Sequence, residues 1–125
     1  MKKIIKTDKA PGAIGPYSQA IETGNLLFCS GQIPLDLETG KIVEGGVEAQ
    51  TEQVLKNIKG LLEGAGYSLN DVIKTTIFAA NINDFPLINE IYGKYFSENF
   101  PARSFVEVSG LPRGALVEIE VVASK

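Results

Sequence analysis

The chain has two arginines, Arg103 and Arg113, and both lie in its last quarter among the glutamates Glu107, Glu118 and Glu120. Arg103 sits within Phe-Pro-Ala-Arg-Ser-Phe-Val-Glu-Val. A Gly-Leu-Pro-Arg-Gly turn follows, and then Ala-Leu-Val-Glu-Ile, which contains Glu118. Read with the period of a strand, the first segment puts Arg103, Phe105 and Glu107 on one face and Ala102, Ser104, Val106 and Val108 on the other. In the second, Val117, Ile119 and Val121 share a face, while Glu118 and Glu120 share the opposite one with Leu116 and Val122. Charges on otherwise apolar strands are costly to bury unless they are paired or put to use. A guanidinium fork grips a planar carboxylate through two parallel charge-assisted hydrogen bonds, and a nearby carboxylate can hold water or move protons. The competing explanation for Arg103 is a structural ion pair with Glu107, Glu118 or Glu120. Glu107 and Glu120 read as structural or interface charges, and Arg113, in a turn, as a solvated one.

Composition narrows the chemistry further. Histidine is absent, which removes the commonest general base, the Ser–His and Cys–His dyads and most zinc sites. The net charge is −3 and the lysines are dispersed, so the basic stripe expected of a nucleic-acid binder is missing. The single cysteine, Cys29, cannot form an internal disulfide; within an apolar strand it reads as a buried small hydrophobe. No apolar run approaches the roughly 20 residues of a membrane helix, and Met-Lys-Lys-Ile-Ile-Lys reads as a cytoplasmic N-terminus. The length of 125 residues fits one domain spanning 1–125.

The elements that must position these residues follow from periodicity. Lys3–Lys6 gives a short strand, and the Pro/Gly-rich stretch from Pro11 to Pro16 a defined loop path. Tyr17, just after it, is either a packing residue or a ring presented to a pocket. Gln19–Thr23 and Leu26–Ser30 flank Gly24-Asn25 as a hairpin. Gly31, at the end of the second of these strands, allows a ligand or another backbone to approach closely, or marks a bulge. Val47, Val54, Leu55, Ile58, Leu61 and Leu62 form one helical face over about 47–63, stopped by Gly64-Ala65-Gly66. Val72–Ala80 reads as a strand covered on both faces. A second helix, capped by Asn83 or Asp84 with Pro86 in its first turn, carries an apolar stripe of Phe85, Ile88, Ile91, Tyr92, Tyr95 and Phe96. Asn89 lies at the edge of that stripe. The order strand, hairpin, helix, strand, helix, strand, strand predicts an α+β sandwich of about six strands with helices on one face. The other face, with Glu118 and Glu120 beside Leu116 and Val122, is too apolar for free solvent and calls for an oligomer interface.

Ala-Ile-Gly-Pro-Tyr-Ser-Gln-Ala (13–20), Ser-Gly-Gln-Ile-Pro (30–34), Lys-Thr-Thr-Ile-Phe (74–78) and above all Pro-Ala-Arg-Ser-Phe-Val-Glu-Val with Leu-Val-Glu-Ile-Glu resemble the Rid family. These reactive intermediate deaminases are also called YjgF-like proteins. The likeness spans essentially the whole chain and points to the RidA type. It implies a chorismate-mutase-like fold, a six-stranded mixed sheet with two helices on one face. It also implies a homotrimer with clefts at the subunit interfaces. The implied activity is hydrolysis of enamine and imine products of pyridoxal-phosphate enzymes, such as 2-aminoacrylate and 2-iminobutanoate, to 2-keto acids and ammonia, with no metal or cofactor required. Carried over by position, Arg103 would clamp the substrate carboxylate and Glu118 would position water or handle protons. Tyr17, Ser30, Gly31, Asn89 and the backbone of Phe105 would line the cleft. Two departures stand out: Phe105, where many relatives carry a small residue, often cysteine, and Ser109-Gly110 in place of a more common Ala-Arg pair. The alternative to an enzyme is a non-catalytic trimeric module that binds small carboxylates or a protein partner. RNA cleavage, sometimes attributed to relatives, fits the composition least.

Overall fold

A computed structural model describes all of residues 1–125 and contains six strands and two α-helices. β1 (Lys3–Ile5), β2 (Ala20–Thr23) and β3 (Leu26–Cys29) form an antiparallel meander; α1 runs over Gly46–Gly64, β4 over Val72–Ala79 and α2 over Phe85–Tyr95. β5 (Ala102–Glu107) and β6 (Val117–Ser124) end the chain. The single mixed sheet has the order β1-β2-β3-β6-β4-β5, with β4–β5 its parallel pair. Both helices lie on one face, as the spacing of apolar residues requires.

α1 buries all six of the residues that the helical period selects, together with Gln50, Thr51 and Asn57. Its entry is made by Gly45 at φ 113°, a left-handed backbone that glycine adopts without steric cost. Across from α1, Val117, Ile119 and Val121 of β6 are at most 1% exposed. Ile77 of β4 pairs with Ile119 and joins the same layer.

Three expectations change. The two strands joined through the Gly-Leu-Pro-Arg-Gly turn are not sheet neighbours, because β6 inserts between β3 and β4 while β5 pairs in parallel outside β4. A parallel partner needs a crossover, and α2 supplies it between β4 and β5. Within one chain β4 is fully covered on one face and partly on the other: Thr75, Ile77 and Ala79 are buried, whereas Lys74, Thr76 and Phe78 are half-buried on the side away from the helices. The α2 stripe is also narrower than its sequence suggests. Ile88, Tyr92 and Phe96 are buried but Phe85 is 37% exposed, because α2 lies over the edge of the sheet rather than its middle. Asp84 stands at the α2 cap position without a side-chain cap; Asn81 instead caps the preceding short turn by accepting from the amide of Asn83 at 2.9 Å.

Asn57 ties α1 to the segment after β3. Its side chain is 1% exposed and donates to the carbonyls of Ile33 at 3.2 Å and Leu35 at 3.0 Å. Asn57→Ala leaves the Leu35 carbonyl without that donor, at about 1–3 kcal/mol for a buried group left unsatisfied, and removes one of two donors from the Ile33 carbonyl, which keeps the Leu35 amide at 2.8 Å. Urea denaturation is therefore expected to show a loss of about 2–4 kcal/mol; a loss below about 0.5 kcal/mol would show that the tie is dispensable.

Candidate functional site

Glu118 is placed by its neighbours on β6. With Val117 and Ile119 committed to the helices, alternation turns Glu118 and Glu120 to the open face of the sheet. Beyond β3 the chain pairs again with β6: the amide of Gln32 donates to the carbonyl of Ile119 at 2.8 Å, and the amide of Ile119 returns a bond to Gln32 at 3.2 Å. This bridge lays Gly31 directly against the Glu118 carboxylate. A Cβ on Gly31 would collide with Oε2 of Glu118 and come within 3.0 Å of its Cδ. Any side chain at this position would have to displace the Glu118 carboxylate.

A cleft of about 380 Å³ opens beside Glu118, edged by Tyr17, Ile14, Gln32 and Arg113. Its rim is the Pro/Gly-rich loop, held in shape by Gln19. The Gln19 side chain is 4% exposed; its amide nitrogen faces the carbonyls of Thr7, Ala10 and Pro11 at 2.8–3.3 Å, and its oxygen accepts from the amide of Thr7 at 2.7 Å. Ser30 closes the loop from behind, its hydroxyl donating to the carbonyl of Ser18 at 2.6 Å. Tyr17 is thereby presented rather than packed: it is 52% exposed, and its hydroxyl accepts from the amide of Ile14 at 3.4 Å.

Burial raises the Glu118 pKa above the usual carboxylate range, and the like charge of Glu120 raises it further. Both effects disfavour the ionised form. The carboxyl is thus brought nearer to conditions where it can both give and take a proton.

Arg103 occupies a different cavity, of about 410 Å³, with Asn89, Tyr92, Phe96 and Phe100. In register with Thr75 of β4, it lies on the helix side of the sheet. Its Nη1 donates to Oδ1 of Asn89 at 2.8 Å, and its guanidinium carbon lies 4.9 Å from the Tyr92 ring centroid and 5.6 Å from that of Phe85. Tyr92 is fixed in turn by a 2.9 Å hydrogen bond with the Thr75 hydroxyl. The Phe105 ring packs edge-on against Phe85 at 4.9 Å, so its side chain turns toward α2, away from Glu118.

The ion pair of Arg103 with a glutamate is not formed; its hydrogen bond goes to a neutral amide. Glu107 instead accepts from the amide of Ile82 at 2.7 Å, a structural role. Cys29 is buried and its thiol is pushed up to about 12 by burial, which leaves it inert. No group of His, Cys, Asp and Glu side chains is arranged to hold a metal ion.

Residues 7–125 match the family model described as Endoribonuclease L-PSP. The chain belongs to this family, the Rid family. Among its Rid relatives, a RutC family protein of Pyrococcus horikoshii is 58% identical over 125 residues, covering 100% of this chain and 99% of that one. The human protein named 2-iminobutanoate/2-iminopropanoate deaminase is 49% identical over 123 residues, 98% of this chain and 90% of its own. Among solved structures, the Rid family protein YyfA from Yersinia pestis superposes with a TM-score of 0.97 at 55% identity, covering all of both chains. E. coli TdcF, solved with bound serine, superposes at 0.94 with 44% identity and 98% coverage of each chain.

In this Rid chain the expected site residues fall into two groups. Arg103 and Asn89 meet on the helix side, with Phe105 beside them, while Tyr17, Gly31 and Glu118 meet on the open side with Ser30 behind. Two contributors were missed from sequence. Gln19 lies within the 13–20 motif, but a buried amide has no periodicity to mark it as the brace of the loop. Arg113 was read as a solvated turn charge; it is exposed, but its Nη1 donates to the carbonyl of Gly40 at 2.8 Å and the residue lines the Glu118 cleft.

The three nearest atoms that a Gly31 side chain would meet all belong to Glu118, whose carboxylate can swing aside. Gly31→Ala is expected to keep stability within about 1 kcal/mol of the parent while displacing the Glu118 carboxylate. Carboxyl NMR would then report a changed Glu118 titration beside a near-normal urea midpoint. An unchanged titration would refute the packing described.

Proposed function

We propose that this chain is an enamine/imine deaminase that converts 2-iminobutanoate and 2-iminopropanoate, the tautomer of 2-aminoacrylate, to 2-keto acids and ammonia in the cytoplasm. The observation that carries the reading is the state of Arg103. Its guanidinium is oriented by Asn89 and two aromatic rings, yet its positive charge meets no carboxylate in its hydrogen bonding. Such a fork is suited to a small planar carboxylate. The names of the human, mouse and Arabidopsis relatives, at 48–51% identity, support the same chemistry.

In this mechanism Arg103 clamps the substrate carboxylate and presents the C=N carbon to a water held by Glu118. The water oxygen bonds to that carbon as Glu118 takes a proton. That proton returns to nitrogen, the proton of the new hydroxyl follows it, and the C–N bond then breaks so that ammonia leaves and the carbonyl forms. Tyr17, Ser30, Gly31, Asn89 and the backbone of Phe105 complete the walls. Because such intermediates are intrinsically reactive, orientation and proton transfer suffice.

One chain cannot bring its own Arg103 and Glu118 to one substrate, since they open on opposite faces of the sheet. A second copy can, and the open face suits one: Phe28 is 47% and Val106 42% exposed there, beside half-buried Phe78 and Val122. We take the assembly to be a homotrimer with interfacial sites, and light scattering is expected to give three times the chain mass. A single-chain mass in solution would remove the premise of a shared site.

Coupled to a threonine dehydratase, the protein is expected to speed release of 2-oxobutanoate. Arg103→Ala is expected to reduce this by about 100-fold or more, the equivalent of two charge-assisted hydrogen bonds at about 1.5–3 kcal/mol each. No acceleration by the parent would sink the deaminase reading. Arg103-dependent binding of a carboxylate without turnover would support a non-catalytic binding module instead. That second reading draws on the serine-bound state of TdcF. The endoribonuclease of the family description finds little support in a chain of net charge −3 without histidine.

A further inference from the structure

We propose that Arg113 is a specificity-determining residue that receives a second anionic group at the far end of the substrate, extending the cleft to 2-imino acids with a short acidic side chain. The inference rests on the deaminase reading and names a substrate class for it.

The backbone singles out Arg113 first. It holds φ 57° and ψ 23°, and Asn99 is the one other non-glycine residue with positive φ. Long side chains seldom occupy this region, and such outliers persist where the surroundings hold them and cluster at ligand sites. The next residue, Gly114, sits at φ 70°, so the turn could be built from glycine alone as far as its backbone is concerned.

The side chain is the second feature. One guanidinium nitrogen donates to the carbonyl of Gly40 at 2.8 Å. That carbonyl belongs to a braced turn, in which the amide of Gly40 donates to the carbonyl of Asp36 at 2.9 Å and Oδ1 of Asp36 accepts from the amides of Glu38 and Thr39. The anchor uses one nitrogen of a planar, five-donor group and holds a long, otherwise mobile side chain at the wall of the Glu118 cleft.

Charge is the third. Of the residues that line the cleft, Glu118 and Arg113 alone are charged. With Glu120 close behind, Glu118 makes this region negative, which would repel a second substrate carboxylate unless a cation offsets it. Arg113 is that cation. A methyl or ethyl side chain would gain nothing from it, whereas a carboxylate one or two carbons beyond the imine would gain a charge-assisted hydrogen bond. The reaction is unchanged: water oxygen adds to the imine carbon, nitrogen takes up protons and leaves as ammonia, and the product is a 2-keto dicarboxylate.

The test compares iminosuccinate, released by an L-aspartate oxidase, with 2-iminobutanoate, released by threonine dehydratase. The readout is the ratio of kcat/KM for the two substrates. Arg113→Gly removes the guanidinium and relieves the positive-φ backbone, so it is expected to fold at least as well as the parent, checked by its melting temperature. It should lower the iminosuccinate:2-iminobutanoate ratio about tenfold or more, and Arg113→Lys, which keeps the charge, should restore part of it. A ratio that Arg113→Gly leaves within about threefold, including a parallel loss on both substrates, would mean a purely structural tie and overturns the proposal. So does a parent active on 2-iminobutanoate but idle on iminosuccinate. A parent idle on both substrates removes the deaminase reading and this proposal together.

Discussion

The burial of Val117, Ile119 and Val121 of β6 against the helical layer is the constraint on which the other features of the site depend. Each such side chain contributes about 1.5–3 kcal/mol when fully removed from water, and all three are at most 1% exposed. Because strand side chains alternate, satisfying these three sends Glu118 and Glu120 to the opposite face. Their combined burial outweighs the cost of leaving one carboxyl half-desolvated beside another. A register slip of one residue would bury both carboxylates among apolar side chains, so the position of Glu118 is as firm as the core.

From that strand the remaining geometry spreads by hydrogen bonding. The reciprocal bonds of Gln32 and Ile119 bring Gly31 onto the Glu118 carboxylate, and Gln19 and Ser30 set the loop that carries Tyr17. On the other face, the parallel register of β5 with β4 puts Arg103 over Tyr92 and within reach of Asn89. A half-buried carboxyl with a raised pKa is poorly compensated within one chain, whereas the exposed Arg103 guanidinium, bonded to an amide, keeps donors free for a partner. In the proposed shared site a second copy would bring its Arg103 toward Glu118, and the same packing would cover the apolar open face.

Much of this was legible in the residue order. The face of α1 was read residue by residue from its spacing, and the alternation of β6 separated Val117, Ile119 and Val121 from Glu118 and Glu120. Arg103 and Glu118 could be singled out from the scarcity of arginine and the absence of histidine, and the motifs around them identified the family. Where the reading failed, the missing information was non-local. Arg103 bonds to Asn89, fourteen positions away on α2, rather than to a glutamate on its own strand. The helical stripe on α2 was overcounted because periodicity reports which residues could be buried, while the extent of the covering layer is set by where the helix lies on the sheet.

The sequence by itself determined what its local physics controls: the helices and strands, the apolar side of β6, a glycine suited to some close approach, and the two charged residues most suited to chemistry. Tertiary structure alone decided that β6 inserts between β3 and β4, that Arg103 and Glu118 open on opposite faces, and that Arg113 joins Glu118 at one cleft. Strand order and the meeting of distant loops depend on packing and hydrogen bonds between segments far apart in the chain. Periods of two and 3.6 residues, which record only each element's relation to its own neighbours, carry no such information.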